Sequence, residues 1–194
     1  AAGAARWGRA GGKGKGTAWC AARHGANIFP AALKRDAGQG NRAVVGEEGG
    51  TCIVQRCNMT NSVEVRSAVD ACVQRYGRID ILINNCGGSA AGDPVSMSEE
   101  VWDAQLDLNL KTVFLGCKYV LPLMEQQQAG VIVNISSLAG FLHPVSGRVN
   151  LAYRPAQAGL APFRRSSAMA PVKNGRRCTP VIGGTIPPPP VAHR

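Results

Sequence analysis

Residues 79–88 read IDILINNCGG, a mostly apolar run that ends in two asparagines, a cysteine and two glycines. A short apolar run flanked by turn residues is expected of a β-strand that is buried on both faces. The same pattern recurs in GVIVNISS at residues 130–137. Ligands bind at the carboxyl ends of the strands in open parallel sheets. The residues that end these two runs are therefore the first candidates for a functional site.

The segments around these two runs alternate between strand and helix patterns. Residues 25–33 and 51–60 predict strands, and residues 176–184 predict a weaker one, whereas AAGAARW at residues 1–7 is a poor candidate for a first strand. Regular alternation without an internal repeat predicts an α/β fold, in which helices cover both faces of a doubly wound parallel sheet. We expect one domain over residues 1–186 and a proline-rich tail over residues 187–194.

Two helices have recognisable ends. Asn61 and Glu64 resemble a capping box at the start of the first helix, and Gly77 supplies its stop. Ser98 opens the second helix, which is apolar nearly all round over residues 101–124. Such a helix needs cover on more than one side, so we expect the sheet and a second subunit to pack against it.

Composition and charge exclude several classes of protein. The chain has 194 residues, 45% of them apolar, and no run approaches the roughly 20 apolar residues of a membrane span. Its seven cysteines include no CxxC and no cluster at metal-ligand spacing, which favours reduced thiols in a cytoplasmic protein without a metal site. The net charge of +10 is concentrated towards the two ends of the chain. No nucleic-acid motif or interleaved aromatic residues accompany this charge, so a basic nucleic-acid-binding protein is the weaker alternative.

A glycine pattern stands near the amino terminus. Gly8, Gly12 and Gly14 are spaced as G-x-x-x-G-x-G, and a helical segment follows them. Glycines permit close approach of the backbone to a pyrophosphate, and the free N–H groups of a helix N-terminus favour an anion. Arg9 and Lys13 lie within the same turn, where a cation would meet a phosphate or disturb the packing.

Five further segments occur in the order known from one enzyme family. They are NNCGG (84–88), LDLNLKTVF (106–114), VIVNISSLAG (131–140), YRPAQAG (153–159) and VIGGTI (181–186). With the glycine turn, they make the chain resemble a short-chain dehydrogenase/reductase from about Gly8 to Val191. The resemblance implies a Rossmann-type fold and hydride transfer between a nicotinamide cofactor and an alcohol or carbonyl substrate.

The same resemblance implies roles for individual residues. Tyr153 would exchange the hydroxyl proton, Ser137 would hydrogen-bond the substrate oxygen, and Asn109 would position a relay water. These groups suit the reaction because charge develops on oxygen and a proton donor or acceptor must lie within hydrogen-bond reach. The resemblance also implies cofactor contacts from the following residues: Gly8, Arg9, Gly12, Lys13, Gly14, Asn58, Asn85, Cys86, Gly87, Tyr153, Gly184 and Ile186.

Gln157 is the main departure from the family pattern. In the family a lysine at this position lowers the pKa of the tyrosine and holds the nicotinamide ribose, whereas Gln157 carries no charge. An unperturbed tyrosine has a pKa of about 10 and is a poor base at neutral pH. Arg154 is a weak substitute, since adjacent helix residues do not face each other. A catalytically silent dinucleotide-binding relative is therefore the alternative function.

The cofactor preference and the assembly are further expectations. Ala32 falls where an acidic residue would select NAD, and Lys34 and Arg35 follow it, so the sequence favours NADP over NAD. The resemblance implies a homodimer or tetramer through the 101–124 helix and the Tyr153 helix. In the family a helix pair and a last strand follow residue 191, so the resemblance also implies a truncated chain.

Overall fold

The computed structural model describes residues 3–8, 13–33, 36–142, 150–168 and 176–183. Six parallel strands form one sheet with the order β3-β2-β1-β4-β5-β6. Their bounds are β1 Gly3–Gly8, β2 Asn27–Ala32, β3 Gln55–Arg56, β4 Ile81–Asn85, β5 Gly130–Ser137 and β6 Arg176–Gly183. This order is that of the doubly wound dinucleotide-binding sheet, so the predicted α/β Rossmann-type fold is confirmed.

Six α-helices and two short turns connect the strands. The helices are α1 Lys13–Arg23, α2 Asp36–Glu47, α3 Ser62–Tyr76, α4 Glu99–Leu106, α5 Thr112–Gln126 and α6 Tyr153–Ala168. A π-helical turn, Asp107–Lys111, joins α4 to α5, and a 3₁₀ turn, Leu138–Gly140, follows β5. The long helix predicted over residues 101–124 is therefore one helical run from 99 to 126 that is interrupted by a π turn. None of the described helices is long and apolar enough to cross a membrane.

The expectation for residues 1–7 was wrong. Residues 3–8 form β1, which pairs with β2 on one side and with β4 on the other. The alanine and glycine residues of this segment have low strand propensity, but pairing on both sides satisfies the backbone groups of a central strand and overrides that preference. The strand predicted over residues 51–60 is also shorter, because only Gln55 and Arg56 form β3.

Successive side chains of the strands pack on opposite faces of the sheet, so the hydrophobic core has two parts. Phe29 packs with α3 and α5 residues on one face, whereas Ile28, its neighbour in β2, packs with α1 and with Val45 of α2 on the other. Successive side chains of a strand point to opposite faces, so two helical layers cover the sheet. All six strands are parallel, so their carboxyl ends lie along one edge of the sheet.

The ends of α3 and α4 follow the predicted local chemistry. The Asn61 side chain accepts hydrogen bonds from the backbone N–H groups of Val63 and Glu64, and Gly77 ends α3 in the left-handed conformation with φ of 77°. The Glu64 carboxylate accepts a hydrogen bond from the backbone N–H of Asn58, and not from Asn61 as a capping box would require. Ser98 caps α4 as predicted.

Candidate active site

A cavity of about 210 Å³ lies where β4 and β5 end. Its walls come from α1, from the turn after β4, from the end of β5 and from the start of α6. The residues that line it are Lys13, Asn85, Cys86, Gly87, Ile135, Ser136, Tyr153 and Gln157. Six of these eight were predicted as site residues, so the fold brings together positions that are up to 144 residues apart in the sequence.

Asn109 holds the turn after β4 in place. Its Nδ2 donates to the carbonyl oxygens of Gly88, at 2.9 Å, and Gln105, at 2.8 Å, while its Oδ1 accepts from the Gly88 N–H at 3.0 Å. A Cβ at Gly87 would lie only 3.0 Å from Asn109 Oδ1, so the turn packs tightly against Asn109 at this glycine. Asn109 is fully buried in the π turn that joins α4 to α5. Its side chain is therefore a clamp for the cavity wall.

Gln157 extends this network into the cavity. Its side chain is 2% exposed, and its Nε2 donates to Asn109 Oδ1 at 3.3 Å. Its Oε1 is buried and has no hydrogen-bond partner. A buried acceptor without a partner is costly, and in a cavity wall it favours a ligand that brings a donor. The neutral amide is thus suited to accept a hydrogen bond from a hydroxyl or an ammonium group.

Tyr153 begins α6, so Pro155 lies in the first turn of this helix. The N–H groups of the first helical turn have no partner within the helix, so a proline two residues after the start removes no helical hydrogen bond. The next residue, Arg154, donates to the carbonyl oxygens of Ala139, at 3.1 Å, and Leu142, at 3.2 Å. Its guanidinium therefore stabilises the segment after β5 and does not line the cavity.

The two serines at the end of β5 have different surroundings. Ser136 is buried, lines the cavity and donates to the backbone carbonyl of Gln157 at 3.1 Å. The Ser137 hydroxyl accepts from the N–H of Ala139 at 3.2 Å. That bond leaves the hydroxyl hydrogen of Ser137 for another acceptor. Ser137 was predicted as the catalytic serine, and it lies at the end of β5 but outside the lining of the described cavity.

The predicted cofactor residues are only partly within the described chain. Gly8 ends β1, Lys13 and Gly14 open α1, and Ala32 ends β2 as expected. Four further predicted contacts lie outside the described residues: Arg9, Gly12, Gly184 and Ile186. Lys34 and Arg35, which underlie the predicted NADP preference, lie outside them as well.

Asn58 is held by its own turn. Its Oδ1 accepts from the backbone N–H of Thr60, at 3.1 Å, and from the Thr60 hydroxyl, at 2.9 Å. The amide oxygen of this predicted cofactor contact therefore already accepts two hydrogen bonds. Burial raises the pKa of the adjacent Cys57 thiol to about 12, with a smaller increase from Glu64 and an opposing effect from Arg56. This thiol is consequently neutral at physiological pH.

Sequence reasoning missed two residues of the cavity, Ile135 and Ser136. The strand was predicted correctly, but only Ser137 was selected from it. The alternation of β5 gives a usable signal, because Ser136 lies on its buried face and Ser137 on the other face.

Among the described residues, no group of three or more His, Cys, Asp or Glu residues could hold a metal ion.

Comparison with known proteins places the chain in a family. The family model described as short chain dehydrogenase matches residues 6–189. A 3-oxoacyl-[acyl-carrier-protein] reductase of Thermotoga maritima is 36% identical over 132 residues, which cover 68% of this chain and 52% of the relative. The oxidoreductase UcpA of Salmonella typhimurium is 32% identical over 178 residues, which cover 92% of this chain and 66% of the relative. The chain therefore belongs to the short-chain dehydrogenase family.

Solved structures agree with this assignment. An NAD⁺-bound xylitol dehydrogenase has a TM-score of 0.88 at 27% identity, with 97% of this chain and 72% of that chain covered. An NADH-dependent reductase complexed with NAD has a TM-score of 0.88 at 25% identity, with 95% and 78% covered. The chain spans about half the length of the curated reductases it matches, at 52% and 58% of two of them.

Proposed function

We propose that this protein is an NAD(P)-dependent oxidoreductase that transfers a hydride between a nicotinamide cofactor and an alcohol or carbonyl substrate. One observation carries the proposal: the phenol-bearing Tyr153, the Asn85–Gly87 turn and Gln157 line the same cavity at the carboxyl edge of the sheet. Family membership supports the same reaction class, since the matched relatives are named as reductases and dehydrogenases.

The residues of the cavity fit a dinucleotide. The unpartnered Oε1 of Gln157 would accept a hydrogen bond from a ribose hydroxyl. Gly8 and the start of α1 would hold the pyrophosphate through backbone N–H groups. When bound, the nicotinamide would supply or accept the hydride.

The chain's own residues would manage the proton and the substrate oxygen. Tyr153 would donate its hydroxyl proton to the oxygen during reduction and remove it during oxidation. The Ser137 hydroxyl hydrogen, which the bond to Ala139 leaves for another acceptor, would stabilise the charge that develops on that oxygen. Asn109 would act indirectly, by fixing the Gly88 turn and the Gln157 amide in position.

We favour NADP over NAD as the cofactor. Ala32 provides no carboxylate at the end of β2, where an acidic residue would bind the ribose hydroxyls of NAD. The positive charge of the amino-terminal segment supports the same preference, because a 2′-phosphate brings additional negative charge.

The proposal includes the oligomeric state and the cellular location of the enzyme. An apolar groove runs between the π turn, α5 and α6, and Phe114 is 47% exposed beside it. This groove supports a homodimer or tetramer formed through these helices, as expected for a helix that is apolar on several sides. None of the six cysteines that the structure describes forms a disulfide, which supports a cytoplasmic location.

A catalytically silent relative is the second candidate, because Gln157 offers Tyr153 no positive charge. Titration with NADPH and NADH, followed by fluorescence, separates the candidates without a known substrate. The proposed enzyme binds one or both cofactors and turns over members of a panel of ketones and alcohols. Binding without turnover would favour the silent relative, and a folded sample that binds neither cofactor would refute both.

Two variants make this test specific. Tyr153→Phe should retain cofactor binding and lose turnover, because it removes only the proton donor. Tyr119→Phe is the matched control, since the Tyr119 hydroxyl contacts Ser62 at 2.5 Å and does not line the cavity. Equal turnover of both variants would exclude Tyr153 from the reaction.

A further inference from the structure

We propose that Arg154, the residue after Tyr153, is a positioning residue for the Ser137 hydroxyl. The inference rests on the proposed function, since it concerns the group that would hydrogen-bond the substrate oxygen. Arg154 acts through the backbone of Ala139 and does not touch the substrate. Hydrogen bonds that run from α6 to the end of β5 join the two residues.

The Ser137 hydroxyl oxygen is held by the turn that follows β5. Its Oγ accepts a hydrogen bond from the backbone N–H of Ala139 at 3.2 Å. This bond fixes where the oxygen lies and leaves its hydrogen for the substrate oxygen. The position of the hydroxyl therefore depends on the position of Ala139, which lies in the 3₁₀ turn Leu138–Gly140.

Arg154 holds Ala139 through the other backbone group of that residue. Its Nε donates to the Ala139 carbonyl oxygen at 3.1 Å, and its Nη2 donates to the Leu142 carbonyl oxygen at 3.2 Å. One guanidinium can bond both oxygens because its planar donors point in fixed directions. Ala139 accepts from Arg154 and donates to Ser137, so a single residue connects α6 with the hydroxyl.

The other contacts of the turn show what the Arg154 bonds add. The N–H groups of Phe141 and Leu142 both donate to the Leu138 carbonyl oxygen at 2.9 Å, so these bonds close the turn on itself. Gly140 packs on α6, where a Cβ would lie 2.7 Å from the backbone nitrogen of Ala158. Packing is non-directional, whereas a hydrogen bond requires a defined geometry. The bonds from Arg154 therefore set the orientation of the turn on α6.

The place of Arg154 separates positioning from cofactor binding. Arg154 is absent from the described lining of the cavity, whereas its neighbour Tyr153 is part of that lining. Substitution of Arg154 should therefore leave the affinity for NADPH and NADH unchanged. The expected loss is confined to the step that uses the Ser137 hydroxyl.

Amide hydrogen exchange, measured by NMR, tests the inference without a substrate. Arg154→Met removes the donors and should accelerate exchange of the Ala139 N–H about tenfold, because bonds from a charged donor are among the stronger ones. The N–H of Val133, in the middle of β5, is the internal reference and should exchange as before. Equal acceleration of both amides, or no acceleration of Ala139, would overturn the inference.

Two further variants control this measurement. Arg66→Met is the matched control, because Arg66 lies on the exposed surface of α3, where its Nε is 4.0 Å from Asp70. It should leave the exchange of Ala139 unchanged, and an acceleration equal to that of Arg154→Met would refute a specific role. Should Arg154→Met fail to fold, as judged by circular dichroism, Arg154→Lys supports the same comparison, since an ammonium does not reproduce the planar fork.

A double-mutant cycle with Ser137→Ala gives the kinetic readout. Arg154→Met should lower kcat about tenfold, with cofactor affinity unchanged. In the Ser137→Ala background the same substitution should lower kcat by about twofold at most, since the hydroxyl that Arg154 positions is gone. Equal losses in both backgrounds would mean that Arg154 acts independently of Ser137 and would overturn the inference.

The two readouts separate this inference from the proposed function. Absence of turnover in the unmodified protein would refute the proposed function, while the exchange of the Ala139 N–H would still decide whether Arg154 fixes the turn. Turnover in the unmodified protein together with unchanged exchange in Arg154→Met would refute the role of Arg154 and leave the proposed function in place.

Discussion

Replacement of Asn41 by leucine should stabilise the fold. Asn41 is fully buried in α2, and neither its Nδ2 nor its Oδ1 has a hydrogen-bond partner. Mutational data place the cost of a buried, unsatisfied amide at about 1–3 kcal/mol. Leucine has a similar size and shape and carries no polar atoms, so Asn41→Leu should recover most of this cost.

The expected increase in the free energy of unfolding is therefore about 1–3 kcal/mol. In a chain of this length, 1 kcal/mol raises the melting temperature by roughly 2–4 °C, so a total rise of about 2–12 °C is expected. Thermal and urea unfolding, each followed by circular dichroism, would measure both quantities. The slope of the urea transition should stay constant, because the change in exposed surface is nearly the same.

Asn134→Leu is the matched control. Asn134 is equally buried, but its Oδ1 accepts from Asn84 Nδ2 at 2.8 Å. The same substitution should there destabilise the protein by about 1–3 kcal/mol, because it removes the main partner of the Asn84 amide. A loss of stability in Asn41→Leu would refute the reasoning, since it would mean that the Asn41 amide is satisfied in solution.

Three further predictions concern glycine, cysteine and the cavity charge. A Cβ at Gly140 would lie 2.7 Å from the backbone nitrogen of Ala158, so Gly140→Ala should lower the melting temperature, whereas Gly16→Ala, in open space within α1, should raise stability by about 1 kcal/mol. Burial raises the pKa of Cys72 to about 12 from 9.0. The unfolded thiol ionises first, so its contribution is complete below pH 9 and is lost as the pH rises to about 12; Cys72→Ala should make unfolding measurably less sensitive to pH in this window. Finally, Gln157→Lys should increase kcat/KM, because it adds a positive charge to the cavity that Tyr153 lines. An unchanged kcat/KM would contradict a role for charge at this position.

The sequence predicted the elements whose signals are local. Strand β5 was predicted over residues 130–137 and is observed at Gly130–Ser137. Helix α3 was correctly bounded by Asn61 and Gly77, because a side-chain cap and a left-handed glycine are properties of a few neighbouring residues. The order of motifs along the chain then identified the fold and most of the cavity.

Other features depend on contacts that a local pattern does not contain. Strand β1 is stabilised by β2 and β4, which lie more than 15 residues away in the sequence. The sequence predicted continuous helix where the π turn lies. The turn contains Asn109, whose side chain bonds Gly88, 21 residues away in the sequence, and a local pattern does not show this contact. Pairing between distant segments decides both cases, and intrinsic propensity does not reveal it.

The substitution at residue 157 shows how a neutral side chain can occupy a position that resembles a lysine site. Its Nε2 continues the network from Gly88 through Asn109, so the cavity wall keeps its connections without a charge. Its Oε1 is left as an acceptor, which reverses the hydrogen-bonding character of the site from donor to acceptor. Lys13 of α1 lines the same cavity, but Oε1 accepts no hydrogen bond from it. A ligand group that donates a hydrogen bond therefore suits this position, whereas one that only accepts does not.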